Sequence, residues 1–213
     1  MKTKRTRAFF LAGMALIFSL FFSSCLEKGD IEIQQGAAAF QRKEFEKAIS
    51  LFQMGLSVEC SLPPESVYVM IANCYSQMED FDNAIEWRKK ALELSEDAEN
   101  YLNLGMIYRI KKDDETAEKM FRKALDVDPD NAAAYGSLGA LCLTHNRIDE
   151  AIYFLEEAEA VNPRAGIVHA DLAICYARKG DFEKADEELG LAEDYKVDNL
   201  AAFKAEVADL QQR

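Results

Sequence analysis

Residues 98–131 read AENYLNLGMIYRIKKDDETAEKMFRKALDVDPDN and contain one full copy of a unit that recurs along the chain. The unit is marked by a Gly or Ala in an apolar stretch and by an Ala twelve residues later. Five such pairs occur: Gly36 and Ala48, Ala72 and Ala84, Gly105 and Ala117, Gly139 and Ala151, and Ala173 and Ala185. The unit therefore repeats about every 34 residues. A period of this size predicts a solenoid of stacked repeats, in which each unit contacts only its neighbours.

Apolar residues within each unit follow helical spacing. Tyr101, Leu104 and Tyr108 fall on one face of a predicted first helix, at intervals of three and four residues. Ala117 and Phe121 mark the facing side of a predicted second helix. The small marker residue of the first helix lets the second helix approach closely. Helices of this length are marginal alone in water, so stacking is expected to supply most of the stability.

This pattern resembles the tetratricopeptide repeat. The sequence GDFEKA at 180–185 is close to the family's usual sequence at the turn within a helix pair, and DVDP at 126–129 is close to its usual sequence at a repeat end. The resemblance spans residues 30–197 and implies an all-α, right-handed α-solenoid of about five helix pairs. The sequence departs from the family pattern at Asp114, where an apolar turn residue is common.

A further helix is predicted over residues 198–213, where apolar residues continue at helical spacing. We interpret it as a C-terminal capping helix, because the last repeat of such an array needs a covered apolar face.

The N-terminus is typical of an export signal. Basic residues through Arg7 precede an apolar run over residues 8–22, followed by Ser23, Ser24 and Cys25. The sequence FSSC at 22–25 resembles a bacterial lipoprotein box, which implies that the Cys25 thiol is acylated with a diacylglycerol, carrying palmitate or similar chains, and that residues 1–24 are then removed. Two alternatives remain open at this point: an uncleaved membrane anchor, and ordinary signal cleavage beside a chance cysteine.

The predicted lipid anchor limits where the protein resides. Residues 25–29 form a short lipidated tether, which places the repeats close to a bilayer. In the lipoprotein family an Asp after the cysteine often retains the protein in the inner membrane, and here Leu26 follows Cys25. We therefore expect a cell-envelope protein, lipid-anchored at the periplasmic face of the outer membrane.

The charge excludes one class of partner. After residue 24 the chain carries 21 basic and 38 acidic side chains, a difference of −17. Such a body repels phosphate backbones and releases no counterions from them, so nucleic acid is not an expected partner.

First helices of tetratricopeptide arrays line a groove, and the resemblance implies that its free side chains bind a partner. Asparagines placed like Asn73 and Asn103 hydrogen-bond a peptide backbone in that family. Val69, Ala133 and Ser137 replace the cations of its carboxylate-clamp subgroup. The groove is therefore expected to take an amphipathic helix or extended peptide. The predicted groove residues are Met70, Asn73, Gln77, Asn103, Met106, Arg109, Ile110, Leu143, Ile174 and Arg178.

The remaining reactive side chains do not form a recognisable catalytic or metal motif. Apart from Cys25, the cysteines are predicted to be buried free thiols. His145 is placed in a polar turn, and His169 takes a core position that Tyr fills in other repeats, with no cysteine or carboxylate at metal-ligand spacing in the sequence. Glu183, Glu188 and the other acids of the second helices are predicted to be solvated. We expect a protein that is not an enzyme and needs no cofactor.

The functional hypothesis is therefore a scaffold that is held at the membrane by acylated Cys25 and that binds a protein or peptide partner in the cell envelope. The alternative is a binding protein for a small apolar ligand or lipid, associated with a transport system.

Overall fold

In the computed structural model of the chain, residues 28–58 and 60–212 are described, and they contain eleven α-helices and no strand. The predicted signal segment and Cys25 lie outside the described residues. The helices are α1 (Lys28–Gln41), α2 (Phe45–Ser57), α3 (Pro64–Gln77), α4 (Phe81–Leu94), α5 (Ala98–Ile110), α6 (Asp114–Val127), α7 (Ala132–Thr144), α8 (Ile148–Val161), α9 (Gly166–Arg178), α10 (Phe182–Asp194) and α11 (Leu200–Gln211). Among these described helices, none is both long enough and apolar enough to cross a bilayer.

Consecutive helices pack as five pairs, and the chain divides into two compact units. Unit 1 extends to Ser95 and holds α1–α4, with α2 packed on α3. Unit 2 begins at Glu96 and holds α5–α11, in which each pair packs on the next and α11 packs on both α9 and α10. The prediction of an all-α array of about five helix pairs followed by a C-terminal helix is confirmed.

Several second helices begin at a polar side chain that satisfies a free backbone N–H. Asp80, Asp113 and Asp181 precede α4, α6 and α10, and each carboxylate accepts a hydrogen bond from the N–H three residues later. First helices α5 and α7 start in the same way at Asp97 and Asn131. These caps fix the helix starts, because the first turn of a helix otherwise leaves its N–H groups without partners.

The turn inside each pair contains one residue in the left-handed region. Four of these residues are not glycine: Lys43, Glu79, Lys112 and Asn146 have φ between 58° and 61°. The fifth is Gly180, with φ 80°. Each lies seven residues after the small marker of its first helix and five before the marker alanine of its second helix. The turn is therefore the same in all five pairs.

The marker residues act through close packing, as predicted. A Cβ built on Gly139 would lie 2.5 Å from Leu155 Cγ, and one built on Gly36 would lie 2.6 Å from Phe52 Cε1. Gly105 meets Phe121 in the same way. Phe52, Phe121 and Leu155 are in turn among the most deeply buried side chains. The glycines thus allow large apolar residues of the second helices to fill the interior of each pair.

Candidate functional site

In unit 1, two predicted groove residues line one cavity. Met70 and Asn73 of α3 line it together with residues of α1, and Phe52 of α2 completes the lining. The cavity measures about 180 Å³ and its lining is mainly apolar. The lining residues are Ala37, Phe40, Gln41, Phe52, Met70 and Asn73. An apolar cavity of about 150 Å³ is enough to hold benzene, so this one has room for a single apolar side chain. Gln77, at the end of α3, is exposed.

Asn73 also has a partner within its own pair. Its Oδ1 accepts a hydrogen bond from Nη2 of Arg88 on α4 at 2.6 Å. Arg88 is buried, and a buried guanidinium needs acceptors to offset the loss of water. The side-chain oxygen of Asn73 therefore already has a hydrogen-bond partner within the fold, which the sequence pattern alone did not indicate.

In unit 2, the predicted residues of α5 form an exposed stripe. Met106 and Ile110 lie one turn apart and are 49% and 59% exposed. Asn103 lies three residues before Met106, and its Nδ2 donates to the Glu99 carbonyl oxygen at 2.9 Å. Arg109, also exposed, lies near the end of the same helix. The stripe combines an apolar pair with polar neighbours.

The predicted residues Leu143, Ile174 and Arg178 do not extend this exposed surface in the same way. Leu143 and Ile174 are 8% and 5% exposed and belong to the core of unit 2. Arg178 donates to the Leu143 carbonyl oxygen at 3.3 Å and to Glu206 Oε1 of α11 at 3.0 Å. It therefore ties α9 to α7 and to α11.

Asp171 is a groove-position residue that the sequence analysis missed. It lies two repeat periods after Asn103 and so takes the same place in its helix. Burial raises the pKa of its carboxyl to about 6; the charge of Arg109 opposes the rise and that of Glu206 adds to it. The repeat period was the signal that would have identified it. Arg109 and Asp171 are thus two residues of opposite charge on the first helices of unit 2.

The structure corrects the sequence-based interpretation of His169. The ring is 1% exposed, as expected of a core residue, but it does have carboxylate partners. Nδ1 lies 2.7 Å from Glu188 Oε2 and 4.0 Å from Glu159 Oε1. Nε2 donates to the Pro163 carbonyl oxygen at 3.0 Å. Because a carbonyl oxygen only accepts hydrogen bonds, Nε2 carries a proton, and a second proton lies in the hydrogen bond between Nδ1 and the Glu188 carboxyl.

Two opposing effects set the protonation of this ring. Burial lowers the pKa of His169, but the hydrogen bonds to Pro163 and Glu188 and the charges of Glu188 and Glu159 outweigh it and hold the pKa above its ordinary value. Glu188 was predicted to be solvated; it is half-buried because it fills the space beside this ring. Tyr68 and Trp87 take the same two positions in the second repeat, and their rings lie 5.4 Å apart. The contact between His169 and Glu188 thus follows a pair of positions that also meet in another repeat.

Three of the four described cysteines, Cys74, Cys142 and Cys175, are buried, Cys60 is half-buried, and all four are free thiols. Burial raises the pKa of Cys74 to about 11 and that of Cys175 to about 12. Since the thiolate is the reactive form, these two side chains are inert core residues near neutral pH.

Comparison with family models covers most of the helical array. A tetratricopeptide repeat model matches residues 65–130 and 97–164, and a second model of the same description matches residues 143–210. Together the matched residues make up more than half of the chain. The chain belongs to the tetratricopeptide repeat family.

Curated relatives of this tetratricopeptide repeat protein are matched over short parts of their length. Heat shock protein STI1 of Saccharomyces cerevisiae is 31% identical over 102 residues, 47% of this chain and 17% of STI1. Anaphase-promoting complex subunit 3 of Schizosaccharomyces pombe is 28% identical over 123 residues, 57% of this chain and 18% of that protein. The chain thus spans less than a fifth of either relative.

Solved structures agree on the fold. A solved part of MamA from Desulfovibrio magneticus RS-1 superposes with a TM-score of 0.68 at 18% identity, covering 79% of this chain and 95% of the solved MamA chain. YrrB, described as a tetratricopeptide repeat protein with an unusual peptide-binding site, gives a TM-score of 0.62 at 22% identity, covering 82% of this chain and 89% of YrrB. At these identities the likeness concerns the fold alone.

Proposed function

We propose that this tetratricopeptide repeat protein is a non-enzymatic interaction scaffold that binds a peptide segment of a protein partner. The observation that carries the proposal is the exposed pair Met106 and Ile110 on α5. Covering apolar surface on binding gains about 25 cal/mol for each Å² removed from water. An apolar stripe of this kind on a repeat scaffold suits an amphipathic helix or extended peptide.

Polar groups beside the stripe give the contact its orientation. Arg109 is exposed next to Ile110, and Asp171 is half-buried on α9. A few placed polar groups among apolar ones are the usual way a binding surface selects the direction and sequence of its ligand. In unit 1 the cavity beside Met70 offers a separate place for one apolar side chain. The peptide-binding site named for YrrB supports this type of function for the fold.

The unit 1 cavity is smaller than the usual pocket for a lipid or drug-sized ligand, which favours a peptide side chain as its occupant. Ligand pockets usually measure about 300–1,000 Å³ and enclose most of their ligand. The cavity lined by Phe40, Phe52 and Met70 measures about 180 Å³. It matches an anchor residue of a longer partner, which would make its other contacts outside the cavity.

A recovery experiment tests the binding surface. The full-length protein is used to capture partners from detergent-solubilised membranes, in parallel with Met106→Asp and Ile110→Asp. Tyr153→Asp serves as the control, because Tyr153 is an exposed apolar residue on the second helix α8. We expect both α5 variants to lose a partner that the control retains, with circular dichroism unchanged. Equal recovery by all four proteins contradicts the proposal.

We further propose that the scaffold acts in the cell envelope, anchored through acylated Cys25 at the periplasmic face of the outer membrane. The support is the sequence alone: the basic start, the apolar run and FSSC at 22–25. Two or three acyl chains would hold the protein permanently at a membrane, whereas one chain holds only marginally.

Metabolic labelling with palmitate tests the anchor. The native protein should incorporate label and sediment with outer membranes, and Cys25→Ser should abolish labelling. If Cys25→Ser remains membrane-bound at full length and the native protein is never labelled, the segment is an uncleaved anchor and the proposal of acylation is wrong.

A further inference from the structure

Three metal-ligating side chains meet between the last two helix pairs. Glu159 comes from α8, His169 from α9 and Glu188 from α10, and one ligand atom of each lies within 4.8 Å of the others. This set is independent of the binding surface on α5. We propose that Glu159, His169 and Glu188 bind a divalent transition-metal ion, with Zn²⁺ the ion that fits best.

The orientation of His169 matches that of a metal ligand. Metal-bound histidines nearly always donate their second ring N–H to a carbonyl or carboxylate, which fixes the tautomer and aims the other nitrogen at the metal. Here Nε2 donates to the Pro163 carbonyl oxygen at 3.0 Å. Nδ1 therefore points toward Glu188 and Glu159, and the tilted ring of Tyr195, with its centroid 5.4 Å away, packs against the imidazole.

The distances fit a small four-coordinate ion after a slight adjustment. Zn²⁺ bonds to nitrogen and carboxylate oxygen are about 2.0–2.2 Å long, so ligand atoms of a tetrahedral site lie about 3.3 Å apart. Nδ1 is 2.7 Å from Glu188 and 4.0 Å from Glu159, values on either side of that separation. A metal at bonding distance from all three atoms therefore requires the two glutamate side chains to rotate, and one coordination position is left for water.

Charge and ligand chemistry point to the same class of ion. Two carboxylates balance the charge of a divalent cation, and the metal would take the place of the proton in the hydrogen bond between Nδ1 and Glu188. Ca²⁺ and Mg²⁺ prefer sites made entirely of oxygen ligands, whereas imidazole suits Zn²⁺ and its neighbours in the first transition row. The glutamates are only partly exposed, with side-chain exposures of 35% and 15%, which strengthens their attraction for a cation.

The site has a mechanical consequence within unit 2. Its three ligands belong to three successive helices, so a bound ion would cross-link α8, α9 and α10. An ion that binds the folded state alone stabilises it by mass action. Zn²⁺ should therefore raise the melting temperature of the protein in proportion to the logarithm of its concentration.

The test uses the full chain without a histidine tag and measures Zn²⁺ binding by competition with a chromophoric chelator. The two ligand variants are Glu159→Gln and His169→Gln. Glu159 is half-exposed, and its substitution leaves the His169–Glu188 contact in place. Glu183→Gln is the control, since it removes an exposed acid from the same helix as Glu188. We expect one site that Glu159→Gln weakens at least tenfold and the control leaves unchanged.

Co²⁺ gives a second readout that does not depend on stability. A tetrahedral site with a nitrogen ligand should give an intense visible absorption band in the native protein, which His169→Gln removes and excess Ca²⁺ leaves unchanged. Zn²⁺ binding that is equal in the native protein and in both ligand variants overturns the proposal, and the trio is then a buried ion pair only.

Discussion

The side-chain carbonyl of Asn73 accepts a hydrogen bond from Nη2 of Arg88 at 2.6 Å, across the two helices of the second pair. Asn73 was predicted to bind a partner, yet its oxygen holds a guanidinium that is almost fully buried. A partner that contacts Asn73 must therefore use its amide nitrogen or accept a cost in the stability of unit 1.

The contact between Asn73 and Arg88 predicts how the side chain tolerates substitution. Asn73→Leu should destabilise unit 1 by about 1–3 kcal/mol, because it removes an acceptor from a buried charged donor. Asn73→Asp keeps an acceptor and should lose less at neutral pH. Trp87 is the only tryptophan and lies in unit 1, so urea titrations followed by its fluorescence report on this unit. Equal losses of stability in Asn73→Leu and Asn73→Asp would contradict a stabilising role for the hydrogen bond to Arg88.

The glycines facing the second helices should not tolerate a methyl group. Gly139→Ala places Cβ 2.5 Å from Leu155 Cγ, and overpacking of this kind costs about 1–3 kcal/mol. Gly190→Ala is the matched control, because Gly190 is an exposed helical residue whose added Cβ would meet nothing within 4 Å. The control should gain about 0.5–1 kcal/mol from helix propensity alone. Urea titrations followed by circular dichroism measure both changes, and a stabilised Gly139→Ala would refute the packing argument.

The left-handed turn residues Lys112 and Gly180 predict stability changes of opposite sign when each is substituted. Lys112 has φ 61°, a conformation that is unfavourable for a residue with a Cβ and easy for glycine. Relief of the left-handed conformation gains about 1–2 kcal/mol and the extra entropy that glycine loses on folding offsets part of it, so Lys112→Gly should stabilise the protein by about 0.5–1 kcal/mol. Gly180→Ala should destabilise it by about 1 kcal/mol through backbone strain only, since no atom lies within 4 Å of the added Cβ. Thermal unfolding distinguishes the two, and changes of the same sign would be inconsistent with this turn geometry.

The ion pair between repeats should depend on pH. Glu118 on α6 receives hydrogen bonds from Nη2 of Arg147 and of Arg122, each at 2.7 Å. The hydrogen bond from Arg147 is the main cause of a pKa below the ordinary 4.5 for Glu118, and Arg122 adds to the effect while burial opposes it. Because the folded-state pKa is depressed, the stabilisation is present above the unfolded-state pKa and is lost as the pH falls through the folded-state value.

Glu118→Gln should therefore cost about 1 kcal/mol at pH 7, and the difference from the native protein should vanish in acid below the folded-state pKa. Glu115→Gln is the control, since its pair with Lys119 is solvent-exposed and should contribute almost nothing to stability. Denaturant titrations at several pH values measure the difference. A difference in stability between the native protein and Glu118→Gln that persists at low pH would show that the loss of packing, not of charge, explains the effect.

The repeat pattern was sufficient to predict the helix pairs because packing in this fold is local. Each pair buries its own marker residues, so Gly105 and Phe121, which lie within a single repeat, already specify their contact. The departure at Asp114 illustrates what the pattern missed. Its carboxylate lies 2.8 Å from Nε2 of His145, a turn residue of the next pair, so two unusual positions complement each other across repeats.

The binding surface was harder to predict, since burial at groove positions depends on what packs above them. Leu143 and Ile174 match the family's groove positions, but both are part of the core of unit 2. Val207 of α11 belongs to the same core, so the C-terminal helix shares in covering this part of the unit. A periodic pattern assigns equivalent residues equivalent roles, whereas a capping helix makes the last repeats differ from the others. Met106 and Ile110 lie on α5, a helix that does not pack on α11, and remain exposed.

The fixed position of the left-handed residue has a consequence for engineering the chain. The separations from marker to turn residue and from turn residue to alanine are identical in every pair. The separation from the alanine of one pair to the marker of the next is not constant: it is longest from Ala48 to Ala72 and shortest from Ala84 to Gly105. All variation in length thus falls between pairs. A fluorophore, an epitope or a grafted loop belongs in these connections, above all between α2 and α3, and deletion or transplantation should move whole pairs.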